Sequence, residues 1–184
     1  MILYHGTSEK RGLEILKGLN ISRYADKVYD SEHMFPTTEG YVYLTNDFVR
    51  AVYYGNKTAV LTDETERLIV FCIDIGESKL EPDYDEIEYV LKHWGETDGF
   101  KDIDNPSLEE SLKLTLSCRV RGDINFKDYN INYCTINSAL QASSTNQKDE
   151  CLEAKNIICL RRTDNEVANK RKKELMSRIK WIKC

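Results

Sequence analysis

Leu68-Ile69-Val70-Phe71-Cys72-Ile73 is an unbroken apolar run of strand length. A strand with one wet face alternates apolar and polar side chains, so a continuous run fits a strand covered on both faces. This run predicts the centre of the core, a sheet with something packed on either side. At 184 residues and 21.4 kDa the chain can bury such a core without a metal or disulfide to hold it, and one domain over residues 1–184 is expected. Apolar residues make up 41% and charged residues 31%, values of a globular rather than a disordered chain.

Six cysteines, Cys72, Cys118, Cys134, Cys151, Cys159 and Cys184, never form Cys-x-x-Cys and mostly lie in apolar runs. Buried reduced thiols are expected, with no metal site and no disulfide framework. No apolar run reaches the length of about 18 residues that a membrane span needs. The chain enters Ile2-Leu3-Tyr4 without a charged leader and cleavage site, so a cytoplasmic protein with no membrane partner is expected. The net charge of −5 hides an asymmetry: residues 155–184 hold ten Lys or Arg against three Asp or Glu, and residues 1–154 hold 16 against 28. The front is acidic and the tail basic, a composition that a solvated helix or a contact with nucleic acid or an acidic protein would explain.

Along the chain, Ile2-Leu3-Tyr4 reads as a short strand leading into His5-Gly6-Thr7-Ser8. Ser8 can cap a helix carrying Leu13, Ile15, Leu16 and Leu19, with Gly18 at its left-handed end. Residues 20–40 have no period and read as a long loop. Tyr41-Val42-Tyr43-Leu44-Thr45 alternates, placing both phenol rings on one face of a strand. Thr45 or Asn46 can cap a helix through Phe48, Val49, Val52 and Tyr53 that stops at Gly55. After the apolar run come four carboxylates, Glu81, Asp83, Asp85 and Glu86, around Pro82, suited to the start of a helix bearing Ile87, Val90, Leu91 and Trp94. Residues 95–106 read as acidic turns, Leu108 and Leu112 as a short helix, Cys118–Gly122 as a strand into a turn, and Tyr129, Ile131 and Tyr133 as a half-exposed strand. Residues 141–149 read as a surface loop, Asn156–Leu160 as a last strand, and residues 164–182 as a basic helix with Val167, Leu175, Ile179 and Ile182 on one side. His33 and His93 have no partner motif and receive no role.

The pair Tyr4-His5-Gly6-Thr7-Ser8 and Gly40-Tyr41-Val42-Tyr43-Leu44-Thr45, followed by Ala51-Val52-Tyr53-Tyr54-Gly55, resembles the H-Y-E/D class of ADP-ribosyltransferases. The likeness is nearest to the small rifampin ADP-ribosyltransferases and covers roughly the first third of the chain. It continues more faintly through the acidic loop to Arg119-Val120-Arg121-Gly122. The resemblance implies an α+β fold of two packed, mostly antiparallel sheets with helices outside and an NAD+ cleft between them. It implies that His5 holds the ribose hydroxyls of NAD+, that Tyr43 stacks on nicotinamide, and that Tyr53 or Tyr54 closes the other side. Gly6, Thr7, Leu44 and Thr45 complete the cofactor-binding set. Asp83 takes the part of the catalytic carboxylate, with Asp85 and Glu81 in the same loop; in polymerase-like members a glutamate opening a late strand does so, which here is Glu153.

The chemistry so implied is mono-ADP-ribosyl transfer. Nicotinamide leaves through an oxocarbenium-like transition state, so the protein needs placement and negative charge more than a strong nucleophile. His5, Tyr43 and an acid are expected to converge on one groove. The basic tail inclines the acceptor toward protein or RNA, and relatives of this kind include antibiotic-modifying enzymes and toxins of phage-defence operons, the latter kept with an antitoxin or inhibitor protein. Three alternatives stand beside it: an RNA 2′-phosphotransferase, which the acidic residues 1–154 fit poorly; a small-molecule (antibiotic) transferase; and a non-catalytic module that binds ADP-ribose or a partner. The plain reading of the acidic loop is helix punctuation.

Overall fold

The computed structural model describes residues 1–23, 37–94, 104–142 and 150–184. In chain order its elements are β1 (Ile2–Ser8), α1 (Glu9–Gly18), β2 (Asn20–Ile21), β3 (Tyr41–Thr45), α2 (Phe48–Leu61), β4 (Arg67–Asp74), β5 (Leu80–Pro82) and α3 (Tyr84–Trp94). Then follow α4 (Leu108–Glu110) with a wider π turn over Ser111–Thr115, β6 (Ser117–Arg121), β7 (Ile124–Asn125), β8 (Asn130–Asn137), α5 (Ala139–Ala142), α6 (Glu150–Leu160), α7 (Asn165–Arg178) and β9 (Ile182–Lys183). Among the described residues no helix is long and apolar enough to cross a membrane.

The apolar run becomes β4, and both its faces are buried. Leu68 and Val70 face a core built with α2, α6 and α7, whereas Ile69, Phe71 and Ile73 face a second core with Leu3, Val42, Leu44, Val120 and Ile131. Ile15 and Leu16 of α1 pack against that second core, which also includes Ile21 of β2 and Ile124 of β7. The fold is α+β, with an antiparallel sheet of seven strands ordered β5-β6-β3-β1-β4-β8-β9 and a small sheet of β2 and β7.

Two packed sheets are therefore replaced by one sheet with a weak seam. β1 pairs with β4 from Ile2↔Asp74 to Ser8↔Leu68, but with β3 only at Tyr4↔Thr45. β3 in turn pairs fully with β6, from Tyr41↔Arg121 to Thr45↔Ser117. Past Tyr4 the two halves part, and α2 lies across the parting on one face. Gly6 permits this: a Cβ there would stand 1.8 Å from the Ala51 carbonyl oxygen of α2.

Several local expectations change: the cap of α2 is Asp47 rather than Thr45 or Asn46, and the basic helix ends at Arg178, with Ile182 in β9. Asn156–Leu160 is the end of a helix, not a strand, because Cys151, Ala154 and Ile157 are buried three residues apart and seat α6 on α2 and α7. Gly55 does not stop α2; it lies mid-helix where the helix crosses β1, with the Thr7 amide nitrogen 3.1 Å from where its Cβ would be. The left-handed end of α1 is Leu19, φ 51°, one residue past Gly18. The C-terminal stripe is narrower than expected: Ala168 and Leu175 are buried in α7, while Val167 and Ile182 are exposed.

The basic tail is partly consumed inside the fold. Asp47 caps α2 by accepting from the Arg50 amide at 3.2 Å, and its carboxylate, 2% exposed, receives Arg161 at 2.7 and 2.8 Å and Lys172 at 2.7 Å. Arg171 binds Glu153 across α6 and α7 at 2.8 and 2.5 Å. These ion pairs brace the C-terminal helices against the start of α2, where Tyr4, Phe48 and Trp181 also meet ring to ring.

Candidate functional site

Directly paired residues of a sheet share a face. Three strands therefore set a polar face in rows: Tyr41 beside Arg121, Tyr43 beside Arg119 and Glu81, and Thr45 beside Ser117, next to which Asp83 falls. The opposite face of the same strands carries Val42, Leu44, Cys118, Val120 and Leu80 into the core. The alternation that makes β3 amphipathic thus also makes β6 present two guanidinium groups together.

The start of α3 closes over these rows. Asp85, in its first turn, accepts from the Tyr43 hydroxyl, from the Thr38 amide at 2.7 Å and from the Thr38 hydroxyl at 2.7 Å. The Thr38 carbonyl lies 3.2 Å from the same phenol oxygen. Burial, joined by the Asp85 carboxylate, raises the Tyr43 phenol well above its ordinary pKa, so it stays protonated and keeps donating. Asp83 precedes α3 and accepts from the Glu86 amide at 3.1 Å, while its own amide donates to Ser111 at 3.0 Å. Its carboxyl is 5% exposed, and burial pushes its pKa up to about 6.

The helix α2 supplies the flank. Arg50 donates to the Thr115 carbonyl in the π turn and meets Glu86 at 2.5 Å; the Tyr54 hydroxyl is 3.4 Å from the other Glu86 oxygen. Tyr53 is exposed and meets Tyr54 edge to face. Of the two tyrosines, Tyr54 is thus beside the carboxylate cluster.

His5 stands at the parting of β1 and β3. It is paired with Phe71, whereas Tyr4 is paired with Thr45, so the imidazole and the Tyr43 phenol leave opposite faces of the sheet. The expected convergence of the two rings is not found. They meet through the backbone instead: His5 Nδ1 lies 3.1 Å from the Tyr43 carbonyl oxygen. A carbonyl only accepts, so the neutral imidazole donates from Nδ1 and leaves Nε2 as an acceptor. Burial lowers the pKa of the ring despite this hydrogen bond, which favours that neutral form.

The remaining predicted residues divide. Thr7 is buried beside Gly6, Leu44 is core, and the Thr45 hydroxyl bonds the Leu116 carbonyl at 2.6 Å as a structural link. Glu81 joins the cluster at 3.7 Å from Arg119. Glu153 is held by Arg171 in α6 and opens no strand. His33 lies outside the described residues, as does the side chain of His93.

Arg50 belongs to the cluster without any signal in the sequence, and Glu86 and Arg119, named there as part of a helix start and of a strand into a turn, receive no role in the site from it. Arg119 had a signal: Cys118-Arg119-Val120-Arg121 alternates as strictly as β3 does. Comparison with family models, curated proteins and solved structures gives no match for this chain.

Proposed function

We propose that the chain cleaves NAD+ at the bond between nicotinamide and ribose and transfers ADP-ribose to a macromolecular acceptor, as the sequence resemblance to H-Y-E/D ADP-ribosyltransferases implies. The observation that carries this reading is the parting of β1 and β3. His5 bridges it through the Tyr43 carbonyl, and the carboxylates Asp83 and Asp85 lie on the Tyr43 side. The parting leaves His5 Nε2 as an acceptor on one face of the sheet and the Tyr43 ring on the other.

In this reading His5 Nε2 accepts from a ribose hydroxyl, and Tyr43 with Tyr54 provides aromatic surface for nicotinamide. Asp83 supplies negative charge as the oxocarbenium character develops. With a pKa near 6 it is also suited to take a proton from the acceptor at neutral pH. Asp85 is committed to Tyr43 and Thr38 and acts by holding them.

A second reading, a binding module without turnover, is favoured by one observation: the imidazole and phenol leave opposite faces. Labelled NAD+ incubated with the pure protein and with nuclease- or protease-treated lysate separates the two. Nicotinamide release that His5→Ala and Asp83→Asn lower by about 100-fold or more supports the transferase. NAD+ or ADP-ribose binding without release supports the module.

The tail bears on the acceptor. Of its ten cations, Arg161, Arg171 and Lys172 are taken up by Asp47 and Glu153 and seven remain, while residues 1–154, with 16 Lys or Arg against 28 Asp or Glu, fit a polyanion poorly. A protein acceptor is the reading we favour.

A further inference from the structure

We propose that Arg119 is the positioning residue of this site: its guanidinium, held by the rings of Tyr41 and Tyr84, fixes the Asp85 carboxylate that receives the Tyr43 hydroxyl. The inference rests on the transferase reading for its catalytic consequence and on geometry alone for its structural one.

Arg119 is the middle residue of the row Tyr43–Arg119–Glu81, paired with both neighbours. It is 8% exposed. Its guanidinium carbon lies over the Tyr41 ring, 4.0 Å from its centre, and over the Tyr84 ring, 4.8 Å from its centre, so aromatic rings from β3 and α3 both meet the cation. Two carboxylates face its edge, Asp85 at 3.8 Å and Glu81 at 3.7 Å, both beyond hydrogen-bond distance. Its Nε has no partner among the described residues. A buried guanidinium ordinarily closes forked hydrogen bonds to a carboxylate. Here it is held by aromatic rings instead, and what it lends its neighbours is charge.

That charge has a use. Glu81, Asp83, Asp85 and Glu86 crowd one end of the site, answered by Arg50 on Glu86 and by the exposed Arg121 on Glu81 at 3.4 Å. Arg121 also donates to the Tyr41 hydroxyl at 2.7 Å, which holds that ring against Arg119. Among the described residues Arg119 is the cation paired with Asp85. Without it, repulsion within the cluster displaces the Asp85 carboxylate, and Tyr43 loses its acceptor.

The test compares Arg119→Met, which keeps the stem and removes the charge, with Arg119→Lys, which restores charge without the flat stack. Each is labelled with 13Cζ-tyrosine, the Tyr43 signal being assigned by its loss in Tyr43→Phe. Asp85→Asn gives the signal of a phenol without its carboxylate. Arg119→Met is expected to move the Tyr43 signal most of the way to the Asp85→Asn position, and Arg119→Lys to recover part of the shift.

In nicotinamide release, Arg119→Met is expected to lower kcat by about 10- to 100-fold while KM for NAD+ changes by less than about threefold, the pattern of lost placement rather than lost binding. A folded Arg119→Met protein whose Tyr43 signal stays at the wild-type position overturns the inference, as does a raised KM with unchanged kcat. If Arg119→Met does not fold, the same comparison is made with Arg119→Lys, which must then show the partial shift. Wild-type protein that releases no nicotinamide defeats the transferase reading, and the tyrosine signal still decides the role of Arg119.

Discussion

Replacing Asp47 with asparagine keeps an oxygen to cap α2 and removes the charge to which Arg161 and Lys172 are bound. The carboxylate is 2% exposed and takes two hydrogen bonds from Arg161 and one contact from Lys172, all between 2.7 and 2.8 Å. Breaking one partner out of a buried ion pair costs about 3 to 5 kcal/mol, because the remaining charge stays desolvated. Both cations are partly open to water, so the lower end, about 3 kcal/mol, applies. For a chain of this length that corresponds to a fall in Tm of about 6 to 12 °C. Asp47→Ala loses the cap as well, about 1 kcal/mol more.

The same site gives a pH signature of fixed sign. Burial by itself raises the Asp47 carboxyl, but the hydrogen bonds and charges of Arg161 and Lys172 outweigh it and hold its pKa below the ordinary range. Its contribution is therefore complete above the unfolded carboxyl pKa and is lost as pH falls through the depressed folded one. Urea unfolding of wild type, Asp47→Asn and Lys172→Met, at pH 7 and in acid, measures both effects. An Asp47→Asn protein within about 1 kcal/mol of wild type at pH 7 would refute the view that this triad braces α6 and α7 against α2.

Gly6→Ala would push a methyl into the Ala51 carbonyl and lift α2 from β1, a loss of more than about 3 kcal/mol visible as poor expression or a collapsed unfolding midpoint; a well-folded variant would show that α2 does not sit where described. Asp83, buried with a pKa near 6, binds a proton more tightly folded than unfolded, so its contribution falls as pH rises from about 4 to 6. Asp83→Asn should remove that component and gain about 3 kcal/mol at pH 7, and unfolding curves that keep the same pH slope would count against its burial. Native thiol titration should find Cys159 and Cys184 at once, with Cys118, Cys134 and Cys151 reacting only in denaturant; fast labelling of Cys118 or Cys134, whose thiols burial pushes up to about 12, would contradict the packing.

What could be read from the sequence was whatever a local period states. The six-residue apolar run is β4 with both faces covered, the alternation at Tyr41–Thr45 is β3, and Ser8 does cap α1. Local pattern failed where a neighbour decides the outcome. Asn156–Leu160 looks like a strand until Cys151 and Ala154 are counted with Ile157, and Gly55 looks like a stop until β1 is seen to need a bare helix surface there. Two packed sheets and one seamed sheet differ by a single pair, Tyr4↔Thr45, which no composition encodes. The site was half legible for the same reason. Tyr43 and Asp83 share a face as the motif order suggests, while the side of the sheet that His5 takes depends on its register with Phe71. Arg119 joins the cluster because its register partners are Tyr43 and Glu81.

Whether the seam between β1 and β3 handles NAD+ is read from nicotinamide release from labelled NAD+ in cleared lysate by wild type, Tyr43→Ala and His5→Ala. Wild type is expected to release nicotinamide, with label passing to a protease-sensitive acceptor, and each variant to lose both. Equal release by all three proteins, or none by wild type in the presence of lysate, would contradict this expectation.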